Sequence, residues 1–111
     1  MLLKRDLSSQ NNMKPAVRWK RILRCDPIQC ARYLYCDLGA RQLNNEVRQG
    51  LVYMLMLEPS DEDKIAHTAF MEAFELGQIS PNRCRAKYFM CPFNASMLFE
   101  VIVYLLRNPN A

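Results

Sequence analysis

Residues 60–77 read SDEDKIAHTAFMEAFELG, and this stretch decides the fold class. Ser60 is a side chain that caps helix starts, and Asp63, three positions on, completes a capping box. Asp61 and Glu62 place negative charge at the positive end of the helix dipole. Ile65, Ala66, Ala69, Phe70, Ala73 and Phe74 then recur at the helical period, and Gly77 stands where a helix of this length would stop. A strongly punctuated amphipathic helix needs partners for its apolar stripe, so its neighbours are read for the same signals.

On the N-terminal side, a helix is expected from Asn45 to Glu58, ended by Pro59. Its second half, LVYMLML, is apolar on every side and is expected to be central and buried. Gly50 inside it costs up to about 1 kcal/mol against Ala unless another backbone comes close. Further upstream, Asp26 as N-cap, Pro27 as the first helical residue and Gln29 as box partner open a helix to about Leu38, with Gly39 as its stop. Pro27, Cys30, Ala31, Leu34 and Leu38 form its stripe. Arg18, Arg21 and Arg24 share one side of a short amphipathic turn over 17–24, whose other side carries Trp19, Ile22 and Leu23.

On the C-terminal side, Ser80-Pro81 opens a shorter helix through about Met90, and Pro92 ends it. Asn94 or Ser96 caps a last helix to Arg107. Its centre, MLFEVIVYLL, has one charge and is expected to be buried; its Val and Ile content makes a buried strand the competing reading. The chain has 111 residues and only 3 glycines, enough for one domain and poor in tight-hairpin residues. The expected fold is all-α: a single small bundle of about five helices over residues 25–108, preceded by a basic, largely flexible arm, residues 1–24.

Charge divides along the same line. Residues 1–24 hold seven basic side chains, among them Arg18, Lys20, Arg21 and Arg24, against one acid, so the arm carries +6 and the rest of the chain −2. An acidic body offers no broad footprint for nucleic acid, which is not an expected partner. No apolar run is long enough for a transmembrane segment.

Five cysteines, Cys25, Cys30, Cys36, Cys84 and Cys91, fall in two groups. Cys30 and Cys36 lie about 9 Å along one helix axis and some 120° around it, too far to bond each other. Cys84 and Cys91, with helix between them, lie about 10.5 Å apart. Intrachain disulfides are therefore expected to join the first group to the second. The spacings make Cys30, Cys36, Cys84 and Cys91 the candidates and leave Cys25 unpaired, available for an oligomer; which cysteine joins which stays open. The alternatives are reduced, buried cysteines or a metal site. With one histidine and no C-x₂-C spacing, no metal is expected.

Two short motifs agree with an oxidising compartment. Asn94-Ala95-Ser96 is a glycosylation acceptor triplet, and Arg18-Trp19-Lys20-Arg21 has the form of a furin-type basic cleavage site. The opening MLLKRDLSSQNN lacks the apolar run of a secretory leader. A secreted reading thus expects a leader upstream of Met1 or export by another route. The chain also lacks the C-x₃-C pair of insect odorant-binding proteins, the early C-x₂-C of saposin-like domains and the twin C-x₉-C of mitochondrial helical proteins, and it resembles no family.

Catalysis is not expected. His67 is the only histidine, and an i,i+4 pair with Asp63 accounts for it. Three scattered glycines build neither a phosphate loop nor a dinucleotide fingerprint, so no cofactor is expected. Methionines at 54, 56, 71, 90 and 97 fill a helical core or, in the minority reading, line an apolar pocket with Tyr53, Phe70, Phe74, Phe99 and Tyr104. The expected function is that of a small secreted or luminal helical binding or signalling protein, without catalytic activity, engaging a partner protein or a small apolar ligand. The alternative is an intracellular, cytoplasmic interaction module with reduced cysteines, whose basic arm contacts nucleic acid, a membrane or an acidic partner.

Overall fold

The structure is a computed structural model that describes residues 16–108. Among the described residues six helices follow in order: α1 (Trp19–Arg24), α2 (Cys30–Ala40), α3 (Glu46–Met56), α4 (Lys64–Ile79), α5 (Cys84–Lys87) and α6 (Ala95–Arg107). Short 3₁₀ turns, Asp61–Asp63 and Pro81–Arg83, lead into α4 and α5. Among the described residues there is no strand, so the strand reading of 97–106 gives way to helix α6.

The centre of the fold is the crossing of α2 and α4, the most extensive contact between any two elements. Gly39 and Gly77 sit at this crossing. A Cβ on Gly39 would collide with the Phe74 carbonyl, and one on Gly77 with the Cys36 carbonyl. Both glycines were expected as helix stops. Instead α2 continues through Gly39 to Ala40 and α4 through Gly77 to Ile79. Their role is to let two backbones touch.

Around the crossing, Leu34, Tyr35 and Leu38 from α2 meet Phe70, Ala73 and Phe74 from α4, with Val52 and Leu55 from α3. The stripe of α4 centres on Ala66, Phe70, Ala73 and Gly77. Ile65 lies about 100° away from that line, which is why it is 88 % exposed rather than in the core as expected. Two side chains bind α3 to its neighbours: Tyr35 donates from its hydroxyl to the Leu51 carbonyl at 2.8 Å, and His67 Nε2 lies 2.8 Å from the Leu55 carbonyl. Only one side of α3 is buried, with Tyr53 and Met56 exposed, so it is not the central helix that its composition suggested. Nothing approaches Gly50, which carries its helix cost uncompensated.

The domain begins earlier than residue 25. Trp19 on α1 is 1 % exposed and lies 5.0 Å, centroid to centroid, from Phe70 and 5.7 Å from both Tyr35 and His67. The boundary at 24/25 is therefore corrected: α1 belongs to the bundle, and the remainder of the expected arm, residues 1–15, lies outside the described residues. The start of α2 also differs. It opens at Cys30, not Pro27, after Gln29 in the left-handed region at φ 65°. Asp26 still caps it from a distance, accepting from the backbone N–H of Ala31 at 2.8 Å and of Arg32 at 3.2 Å. Gln29 forms no capping box; its side-chain oxygen accepts from the Met90 N–H at 3.1 Å and ties the approach to α6 onto α2. The expected helix from 81 to 90 is reduced to α5 and a turn, because Cys91 must swing back to reach α2.

Candidate functional site

Two disulfides fix the geometry of the α2, α5 and α6 side. Cys30 joins Cys91, with Cα atoms 4.9 Å apart, and Cys36 joins Cys84, with Cα atoms 5.7 Å apart. All four cysteines are the candidates expected, and the pairing left open is resolved as the outer with the outer and the inner with the inner. Cys25 is free and exposed. Four of the five thiols are thus paired, contrary to the reading with reduced cysteines. Arg85 reinforces the tie: its guanidinium donates to the carbonyls of Cys91 and Phe93 at 2.6 Å each and lies over the Tyr33 ring.

This frame holds α6 against α2 on one side only. Asn94 caps α6, its side-chain oxygen accepting from the Met97 N–H at 2.8 Å. Ala95 is buried, while Leu98, Phe99 and Ile102 pack partly against the core. The Arg48 guanidinium sits 4.1 Å above the Phe99 ring and links α6 to α3. Val101 and Tyr104, on the flank next to this face, and Leu105 and Leu106, one turn beyond Ile102 on the face itself, are half or more exposed, and Met97 nearly half. The expectation that this helix is buried is therefore corrected. It is apolar around most of its circumference, but the small body covers only part of one face.

Between α6 and the start of α2 runs an open apolar groove of about 400 Å³. Cys30, Ala31 and Leu34 form one wall, and Phe93, Met97, Leu98, Val101 and Ile102 the other. Cys25 and Asp26 also line it. Asp26 is 4 % exposed and held by the side chain of Arg32 at 2.9 Å, so it presents little charge to the groove.

The pocket expected from Tyr53, Phe70, Phe74, Phe99 and Tyr104 is not assembled. Phe70 and Phe74 are core residues, Tyr53 and Tyr104 are exposed, and Phe99 lies under Arg48. The apolar concavity lies on the α2 side of α6 instead. Sequence reasoning missed it because its walls come from segments some sixty residues apart, brought together by the Cys30–Cys91 bond at a separation of 61. The one available signal was the excess of apolar residues in 97–106 over what a core of this size can take.

The basic residues form a second surface. Arg18, Lys20, Arg21 and Arg24 are exposed on α1, beside Glu62 and the carboxyl end of Asp63. They ride on a docked helix rather than a tail. Asp63 accepts from the Lys20 N–H at 2.9 Å and from the Ser60 hydroxyl at 2.7 Å. These bonds, the Lys20 N–H first, hold its carboxyl below the usual carboxylate range. Asp63 therefore serves α1, and His67 serves α3; the expected pair between them is replaced by these contacts. The furin-type motif is also accounted for, since Trp19 inside it is core and cleavage there would require α1 to undock. Among the described residues no group of three or more metal-ligating side chains is assembled, and no helix is long and apolar enough to cross a membrane.

Fold and surface together define a disulfide-tied all-α domain with an exposed apolar helix. Compared with protein-family models, curated proteins and solved structures, the chain matches none.

Proposed function

We propose that this chain is a small secreted or luminal binding protein, without catalytic activity, that engages a protein partner through the exposed face of α6 and the groove beside it. The carrying observation is α6 itself: a helix with its apolar residues at positions 97, 101, 104 and 105 in solvent, fixed in place by a disulfide at its approach. Contiguous apolar surface beyond a few hundred Å² marks interaction sites in monomeric proteins. The groove is open along its length, which suits a partner's side chains better than an enclosed small ligand. Two disulfides fit an oxidising compartment. Asn94 supports the same route: it is exposed, and its cap uses the side-chain oxygen, leaving the nitrogen that would carry a sugar out of that bond. The absence of catalysis is supported by the commitment of the sole histidine to the Leu55 carbonyl and the Trp19 ring.

The test is an environment-sensitive apolar dye, anilinonaphthalene sulfonate, with the full-length Cys25→Ser chain, its two intrachain disulfides formed, diluted until light scattering gives the monomer mass. In this form the native protein is expected to raise the dye's fluorescence several-fold. A Val101→Glu/Leu105→Glu variant of unchanged helical circular dichroism is expected to lose most of that signal. No enhancement by the native protein, or equal enhancement by the variant, would contradict the α6 surface as the site.

A further inference from the structure

Resting on that reading of the α6 face, we infer that its occupant is a second copy of this chain, in a two-fold dimer sealed by a disulfide between the two Cys25 residues. Three observations converge on one face. Phe93, Met97, Val101, Tyr104 and Leu105 are each 45–56 % exposed, a contiguous apolar patch of the kind around which a partner's ~800 Å² share of a stable interface is built. The α6 face carries little free charge, because Asp26 is buried against Arg32 and Glu100 turns to the α3 side with Asn45 and Glu46; Arg24, exposed next to Cys25, belongs to the basic surface of α1. An uncharged apolar stripe offers nothing to select a charged partner, but it is complementary to itself when turned about a two-fold axis. Finally, Cys25, the one free cysteine, is exposed and lines this groove beside Met97 and Val101. A two-fold axis through the groove mouth brings it toward Cys25 of the second copy.

The chemistry needs an oxidant, and a low-molecular-weight disulfide such as oxidised glutathione supplies it. One Cys25 thiolate attacks a glutathione sulfur and releases one glutathione thiolate. Cys25 of the second copy then attacks the mixed disulfide and releases the other. Two thiols and one glutathione disulfide become one protein disulfide and two reduced glutathiones, so atoms and electrons balance. The intrachain pairs are spectators, since Cys84 and Cys91 are buried.

The experiment compares the full chain, refolded without carbohydrate in a glutathione redox buffer, with Cys25→Ser and Val101→Glu/Leu105→Glu variants, using light scattering and non-reducing electrophoresis. Wild type is expected at twice the monomer mass, with a covalent dimer band. Cys25→Ser keeps a dimer that now dissociates on dilution, with at least a tenfold loss of apparent affinity. The double variant is expected to be monomeric and to lose most of the covalent band. Wild type that stays monomeric at every concentration overturns the dimer. A dye signal lost in the double variant would then leave α6 as a site for another protein, whereas an unchanged signal would remove that reading as well. A covalent band of equal yield in wild type and double variant would also overturn the proposal, since it would mark random collision of exposed thiols.

Discussion

Asp26 shows how one side chain can replace several local signals. Its carboxylate holds two backbone N–H groups at the start of α2 and the Arg32 side chain, while Arg32 donates back to the Asp26 carbonyl at 2.6 Å. Asp26→Ala would strip both N–H groups of their acceptor and leave Arg32 with only the backbone carbonyl of residue 26. A loss on the order of 1–3 kcal/mol is expected in chemical denaturation. Asp63 plays the matching part for α1, and its depressed pKa gives the contribution a direction. The stability it lends is fully present above the ordinary carboxylate pKa of about 4 and is lost as pH falls through the lower folded value. Trp19 is the only tryptophan, so its emission reports the docking of α1. A red shift is expected on acidification below about pH 4, and Asp63→Asn should show part of that shift already at neutral pH. An emission spectrum indifferent to Asp63→Asn would mean the carboxylate does not hold α1. At this scale the sequence was half legible. The residue types at 26, 60 and 63 announced capping, but Asp26 acts across a left-handed turn, Ser60 donates to Asp63 instead of capping, and Asp63 holds an N–H of another helix, where spacing carries no information.

At the scale of elements, the helices after α1 were legible because capping residues, glycines and prolines punctuate the chain around them, whereas α1 showed only an amphipathic spacing. The starts of α3 and α6 match Asn45 and Asn94, whose side chains accept from Arg48 and Met97 as a capping reading requires. What stayed hidden was which face of each helix is covered. Gly39 and Gly77 look like terminators in a one-dimensional reading; in three dimensions they are the contact point of α2 and α4. Gly77→Ala would be favourable in an isolated helix by up to about 1 kcal/mol. Here its methyl group must push α4 off the Cys36 carbonyl, and a net destabilisation of about 1–3 kcal/mol is expected in thermal or denaturant unfolding. A neutral or stabilising result would show that the two backbones do not meet. The apolar composition of α6 misled for a related reason. Burial depends on how much body surrounds a helix, and the α2–α4 pair with α3 covers only one side of it.

For the whole molecule, the disulfides decide the arrangement. They clamp the C-terminal third onto α2 across separations of 61 and 48 residues. Each such closure removes on the order of 4 kcal/mol of unfolded-chain entropy in the loop model. That is a large share of the ~5–15 kcal/mol by which a domain is stable. That Cys30 and Cys36 cannot pair with each other was legible from helical spacing; the same argument for Cys84 and Cys91 assumed a helix that ends at Lys87, so its conclusion held although its premise did not. The order of pairing was not legible, because it depends on the turn after α5 that returns Cys91 to the start of α2. The decisive measurement is a peptide map of the chain recovered without reductant from the cell that makes it, with free thiols blocked at lysis. Linked peptides Cys30–Cys91 and Cys36–Cys84 are expected, with Cys25 joined to neither pair. Labelled thiols at all four of those positions, or a bond within either cysteine group, would contradict the fold's covalent frame and the oxidising compartment inferred from it.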